Sequence, residues 1–174
     1  MNYAVIKPVD IANGPGIRVS LFVSGCTHRC KGCFNKETWD FSYGLPFDGK
    51  AQQQLLKYLD HSYIAGLSLL GGEPLEPENQ RELLPLLKQV RTQFPDKTIW
   101  CYSGYTLEYI LEQMLPGSLV TRELADYVDV LVDGLFIEKE KDLSLRFRGS
   151  RNQRILDLKL SLRAKSAVWC DGFT

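Results

Sequence analysis

Several things this sequence does without narrow its function. Nowhere do about 18 apolar residues run together, the length a membrane-spanning helix requires, so no membrane segment is expected. The chain does not open with a basic stretch followed by an apolar one, so no secretory leader is read from it. Net charge is also missing, since 21 Lys and Arg balance 21 Asp and Glu. That balance removes the general attraction for polyanions, and no nucleic-acid partner is expected. No linker, low-complexity tract or internal repeat breaks the chain, which reads as one domain over residues 1–174. The two histidines, His28 and His61, carry no independent signal.

What is present is ordinary apart from one stretch. At 44% hydrophobic and 24% charged, the composition is that of a soluble globular protein. A chain of this size buries roughly 70% of its unfolded surface. Its five cysteines are odd in number and clustered, which does not read as a disulfide framework. Clustered thiols without an export signal place the chain in a reducing cytoplasm.

Three of those cysteines, Cys26, Cys30 and Cys33, fall in Gly25-Cys26-Thr27-His28-Arg29-Cys30-Lys31-Gly32-Cys33. Thiolates are soft ligands that suit zinc and iron–sulfur clusters. A structural zinc site is closed by four ligands, usually from two Cys-x₂-Cys pairs, and only Cys30/Cys33 has that form. A zinc reading would need His28, Cys101 or Cys170 as the fourth ligand. A four-iron cluster on three cysteines instead leaves one iron without a protein ligand, and an open position marks a catalytic rather than a structural metal site.

The flanking pattern is Gly14-x-Gly16-x-Arg18-x-x-x-Phe22-x-x-Gly25-Cys26-x-x-x-Cys30-x-x-Cys33-x-Asn35. Further on come Gly71-Gly72-Glu73-Pro74, Val132-Asp133-Gly134 and Arg148-Gly149-Ser150-Arg151-Asn152-Gln153. Together, from about residue 3 to about residue 157, they resemble the radical S-adenosylmethionine enzymes, in the branch that activates glycyl-radical enzymes. The resemblance implies an open partial (β/α) barrel with parallel strands. It implies a 4Fe–4S cluster on Cys26, Cys30 and Cys33, whose open iron chelates S-adenosylmethionine. Reductive cleavage would then yield a 5′-deoxyadenosyl radical that installs a glycyl radical on a partner, here anaerobic ribonucleoside-triphosphate reductase. It also implies a low-potential electron donor such as flavodoxin. Another glycyl-radical enzyme, or a small heterocycle, is the alternative substrate, and a non-catalytic electron carrier or zinc module is the rival class.

Read in order, Tyr3–Ile11 is a short strand or hairpin arm and Asn13-Gly14-Pro15-Gly16 a turn. Ile17–Ser24 alternates as a strand, with the cysteine loop at its C-terminal end. Asp48 caps a helix running to about His61. Gly66–Leu70 is a strand, and Glu78–Phe94 a helix that Pro85 should kink or postpone. Thr98–Tyr102 and Val128–Val132 are strands separated by helices at about Thr106–Leu115 and Thr121–Ala125. Such alternation implies parallel βαβ units. Lys139–Leu145 reads as solvated, Ile155–Leu162 as a strand, and about 159–174 as a mobile extension.

Candidate site residues follow from the same elements. By resemblance, Gly71, Gly72 and Glu73 hold the methionine end of S-adenosylmethionine, with Glu73 near its ammonium; Phe34 contacts the adenine. The resemblance often has an aromatic residue just before the third cysteine, where this chain has Gly32. Ser103 and Asp133 end strands, where either a helix cap or a cofactor contact is expected. By resemblance Asp133 meets a ribose or cation, although the usual Lys two residues later is Leu135. Arg18 is read as an outward strand residue or a site cation, and Arg148–Arg154 as a solvated turn, site wall or partner surface. Cys101 is a core thiol and Cys170 a tail thiol.

Overall fold

Period-two alternation builds the strands of this chain, and the computed structural model, which describes residues 1–173, shows where their two faces go. The strands are β1 (Asn2–Asp10), β2 (Ile17–Val23), β3 (Leu45–Pro46), β4 (Ile64–Gly71), β5 (Thr98–Tyr102), β6 (Val130–Asp133) and β7 (Arg154–Asp157). They form one seven-stranded sheet in the order β3-β1-β2-β4-β5-β6-β7. The four central strands, β2, β4, β5 and β6, are mutually parallel. The edges are antiparallel, however, with β1 on β2, β3 on β1 and β7 on β6. The β1–β2 pair is the hairpin arm that the sequence allows, because a tight turn such as Asn13–Gly16 can join only antiparallel neighbours.

Helices cover one face: α1 (Gly49–Leu59), α2 (Pro77–Gln93), α3 (Leu107–Tyr109), α4 (Leu115–Gly117), α5 (Leu119–Tyr127) and α6 (Leu158–Ala164). Asp48 caps α1 by accepting from Lys50 N at 3.0 Å and Ala51 N at 2.9 Å. Pro85 lies inside α2 without ending it. A π-helical turn, Ile110–Met114, separates α3 from α4 where one helix is expected from the sequence. Val19, Leu21, Leu67, Leu69, Ile99 and Cys101 point toward the helices and form the main core with Leu55, Leu83 and Leu87. Burial of that kind, about 25 cal/mol per Å² of apolar surface, is what fixes the strand register.

The other face carries Arg18, Ser20, Trp100, Val132 and Ile155. Arg18 is fully buried and is neither outward nor in the site. Its Nε donates to Ser68 Oγ at 2.7 Å, its Nη1 to Thr98 Oγ1 at 2.9 Å, and its Nη2 to the Leu67 and Thr98 carbonyls, each at 2.8 Å. These bonds pin β2, β4 and β5 near their N-terminal ends, opposite the cysteines. Burial lowers the Arg18 pKa to about 10.

The C-terminal end departs from the sequence reading. β7 stops at Asp157, whose side chain accepts from Leu160 N at 2.8 Å and so starts α6 where a continued strand is expected. The described residues after α6, 165–173, are not a free extension. Asp157 N donates to Val168 O and Cys170 N to Ile155 O, both at 2.9 Å, so the tail runs along β7. Phe173 then closes edge-on over Trp100, with ring centroids 5.8 Å apart. Among the described residues, no helix is long and apolar enough to cross a membrane.

Candidate iron–sulfur site

The cysteine loop leaves β2 at the C-terminal edge of the parallel strands, where open α/β sheets build their sites. Its base is held by backbone bonds: Gly25 N donates to Thr38 O at 2.8 Å, Cys26 N to Trp39 O at 3.3 Å and Glu73 N to Gly25 O at 2.9 Å. The turn after β4 is therefore laced directly to the loop. Gly72 belongs there because a Cβ on it would lie 2.5 Å from the Gly25 carbonyl oxygen. Close approach of two protein backbones, rather than of a ligand alone, is what this glycine permits.

Cys26, Cys30, Cys33, Phe34, Gly71, Gly72, Glu73 and Ser103 all line one cavity of about 600 Å³. That size is typical of a pocket for a small molecule or cofactor. Among the described residues, no three His, Cys, Asp or Glu side chains converge closely enough to hold a single metal ion. Cys26, Cys30 and Cys33 stand along the wall of one shared space. Asn35 N donates to Cys33 Sγ at 3.4 Å. Burial pushes the Cys26 thiol up to about 11, against hydrogen bonds from the backbone N–H groups of His28 and Arg29 that act the other way. Burial likewise raises Cys30. Loading a metal group would displace these protons, because thiolate is the ligand form.

Glu73 is 1% exposed and its carboxylate is occupied by the protein. Oε1 accepts from Leu75 N at 2.8 Å; Oε2 accepts from Gly104 N at 2.7 Å and meets His28 Nε2 at 3.0 Å. It thus braces the cysteine loop, the β4 turn and the β5 turn against one another. For His28, burial lowers the pKa, but the Glu73 hydrogen bond and charge outweigh it, and the net shift is upward. The His28 ring also packs edge-on against Tyr105 at 4.4 Å. Sequence reasoning missed His28 because its partner is 45 residues away.

Asp133 does not line the cavity. Its carboxylate accepts from Leu107 N at 2.7 Å and from Arg154 Nε at 2.9 Å, so it caps α3 and anchors β7. Ser103 keeps both expected characters, since its Oγ accepts from Tyr105 N at 3.1 Å while the residue faces the cavity. Phe34 is 61% exposed at the cavity wall and meets Phe136 edge-on at 5.4 Å. Opposite lies the 148–153 loop, which ties itself together: Gln153 Oε1 accepts from Gly149 N at 2.8 Å and Gln153 Nε2 donates to Gly134 O at 3.0 Å. Arg148, Gly149 and Gln153 line the cavity, so this stretch is a wall of the site rather than a free turn. Trp39, Tyr102 and Phe136 also line it, and nothing in their local sequence marks them.

A family model described as a 4Fe-4S single cluster domain matches residues 12–156. A relative from Pasteurella multocida (strain Pm70) is 48% identical over 157 residues, covering 89% of this chain and 96% of its own. One from Haemophilus influenzae is 46% identical over 162 residues, 92% of this chain and all of its own. One from Escherichia coli (strain K12) is 42% identical over 161 residues, 91% of this chain and again all of its own. Each is named an anaerobic ribonucleoside-triphosphate reductase-activating protein. With a family model spanning the cysteine loop and three relatives matched over nearly their whole length, the chain belongs to the family of anaerobic ribonucleoside-triphosphate reductase-activating proteins, built on a 4Fe-4S single cluster domain.

Proposed function

We propose that this protein is a radical S-adenosylmethionine activase that generates a glycyl radical on anaerobic ribonucleoside-triphosphate reductase. The observation that carries this is the single cavity shared by three loop cysteines and the Gly71–Glu73 turn. Cys26, Cys30 and Cys33 would hold three irons of a 4Fe–4S cluster, leaving the fourth to S-adenosylmethionine. When bound, the cluster supplies the electron that splits S-adenosylmethionine into methionine and a 5′-deoxyadenosyl radical, which takes a hydrogen atom from the partner's glycine. The protein's own share is orientation and exclusion of water. Gly71 and Gly72 bring the β4 turn to the cavity, and Glu73 fixes that turn to the cysteine loop. Phe34 and Phe136 give the adenine an aromatic wall. The chain works as one domain of open partial-barrel form, in the cytoplasm, with electrons from a low-potential donor of the flavodoxin kind.

Anaerobic reconstitution with iron and sulfide, reduction with dithionite and addition of S-adenosylmethionine test this reading. The expected result is 5′-deoxyadenosine and methionine in equal amounts. A protein that takes up iron and electrons but leaves S-adenosylmethionine intact is a carrier, and the proposal fails.

A further inference from the structure

Among the described residues, six buried side-chain polar atoms have no hydrogen-bond partner, and two of these belong to residues that line the cavity: Trp39 Nε1 and Tyr102 Oη. Such atoms are rare in native proteins, and an unmet buried donor usually marks a missing acceptor. Trp39 is the more informative, because an indole N–H can only donate and so specifies what is missing. Its position is also specific. The carbonyl of Trp39 accepts from Cys26 N at 3.3 Å, which holds the two residues side by side. A second hollow lies behind the cysteine loop, and Cys26 and Trp39 are the two residues it shares with the main cavity. Trp39 and Cys26 are therefore neighbouring residues at the boundary between the two spaces. The turn that carries it, Lys36–Trp39, is itself clamped to the loop through Thr38 O, so its backbone moves with the cysteine loop.

We propose that Trp39 is a positioning residue for the cluster, donating its indole N–H to sulfur at the Cys26 corner. Among the described residues of the metal-free chain, no acceptor, thiol sulfur included, lies within hydrogen-bond reach of that N–H. Ligation to iron makes the Cys26 thiol an anionic thiolate beside inorganic sulfide, which is the acceptor the indole lacks. Donors to cluster sulfur offset negative charge and favour the reduced state, one of the ways a protein sets a cluster's potential. The backbone already treats another sulfur this way, since Asn35 N donates to Cys33 Sγ. Trp39 adds a side-chain donor at the opposite end of the motif. It touches no reacting atom; its effect is on how readily the cluster accepts an electron. The inference rests on the cluster reading given above.

Trp39→Phe keeps the aromatic packing and removes the donor. After anaerobic reconstitution the variant should match the parent in iron and sulfide content. In a redox titration its reduction equilibrium should fall about tenfold, a midpoint lower by ~59 mV for one electron. Affinity for S-adenosylmethionine should stay unchanged. An unchanged potential with iron retained overturns the assignment, and so does weakened S-adenosylmethionine binding without a change in potential. Should the variant fail to hold iron, the unmutated protein decides. With ¹⁵N-labelled tryptophan, its reduced cluster should show a hyperfine coupling to an indole nitrogen and its exchangeable proton, and absence of that coupling overturns the proposal. If the unmutated protein takes up no iron at all, the cluster reading itself fails, an outcome distinct from all of these.

Discussion

Glu73 has two carboxylate oxygens and three neighbours that claim them: Leu75 N, Gly104 N and His28 Nε2. The sequence suggests a carboxylate waiting for a ligand's ammonium, but the geometry shows one already engaged in joining three loops. The two roles predict different losses. Glutamine can offer only one oxygen, so its amide nitrogen would face a donor and leave that donor unmet. An unsatisfied buried partner costs about 1–3 kcal/mol. Glu73→Gln should therefore lower the thermal stability of the cluster-free protein by that amount, measured by calorimetry or circular dichroism. A melt identical to the parent, with only S-adenosylmethionine binding impaired, would restore the ligand role and remove the brace. His28 belongs to the same unit. It was illegible in the sequence because a histidine's meaning depends on what the fold sets against it.

At the scale of elements, the cysteine loop separates cleanly from the other thiols. Cys26, Cys30 and Cys33 face one cavity, whereas Cys101 is 1% exposed in the core beneath the helices and Cys170 lies half-buried against Ile155 and Trp100. Ala at any loop cysteine should strip most of the iron and abolish 5′-deoxyadenosine formation, since two ligands remain for four irons. Cys101→Ala should cost only packing, on the order of 1 kcal/mol for the buried sulfur, with iron retained. Cys170→Ala should be milder still. Iron analysis and turnover across the five variants check this, and loss of iron from Cys101→Ala or Cys170→Ala would mean a closed, four-ligand site. The strands and helices around the loop were largely legible because period-two and helical patterns with clear caps are local signals. β5 is found at Thr98–Tyr102 as read, and α1 begins at its Asp48 cap. The end of β7 was not legible. Ile155–Leu162 alternates tolerably as a strand, yet Asp157 caps α6 and Ser161 Oγ donates back to the Asp157 carbonyl at 2.6 Å. Asp133 takes the helix-cap alternative that the sequence leaves open, because a strand-end acid looks the same in sequence whether it meets a ribose or, as here, Arg154 and the start of α3. The tail after α6 is not legible either, because Trp169 and Phe173 take their meaning from partners distant in sequence, Leu156 on β7 and Trp100 on β5.

Considered whole, the molecule gathers the three loop cysteines, the Gly71–Glu73 turn and the 148–153 loop around one shared cavity. The open side of that cavity is rimmed by apolar residues that the fold leaves uncovered, Phe34 at 61% and Leu143 at 84% exposure. Leu143 and Phe34 line the cavity as well, so this rim is continuous with the space where the chemistry would occur. Exposed apolar residues grouped at a cavity mouth suit a macromolecular partner that covers the opening and excludes water. A glycine Cα can reach such a site only in an extended, flexible segment, since no side chain bridges the gap for it. Reduced, reconstituted protein mixed with S-adenosylmethionine and purified anaerobic ribonucleoside-triphosphate reductase should therefore give a glycine-centred radical signal by electron paramagnetic resonance. Leu143→Asp separates docking from chemistry. Exposed as it is, the residue contributes little to folding, so 5′-deoxyadenosine formation without the partner should be unchanged. A charge on the covered rim should cut the yield of partner radical about tenfold, equivalent to ~1.4 kcal/mol of lost association. Full radical transfer by Leu143→Asp would move the docking surface away from this rim. Cleavage of S-adenosylmethionine with no radical on the reductase would assign the activity to a different substrate.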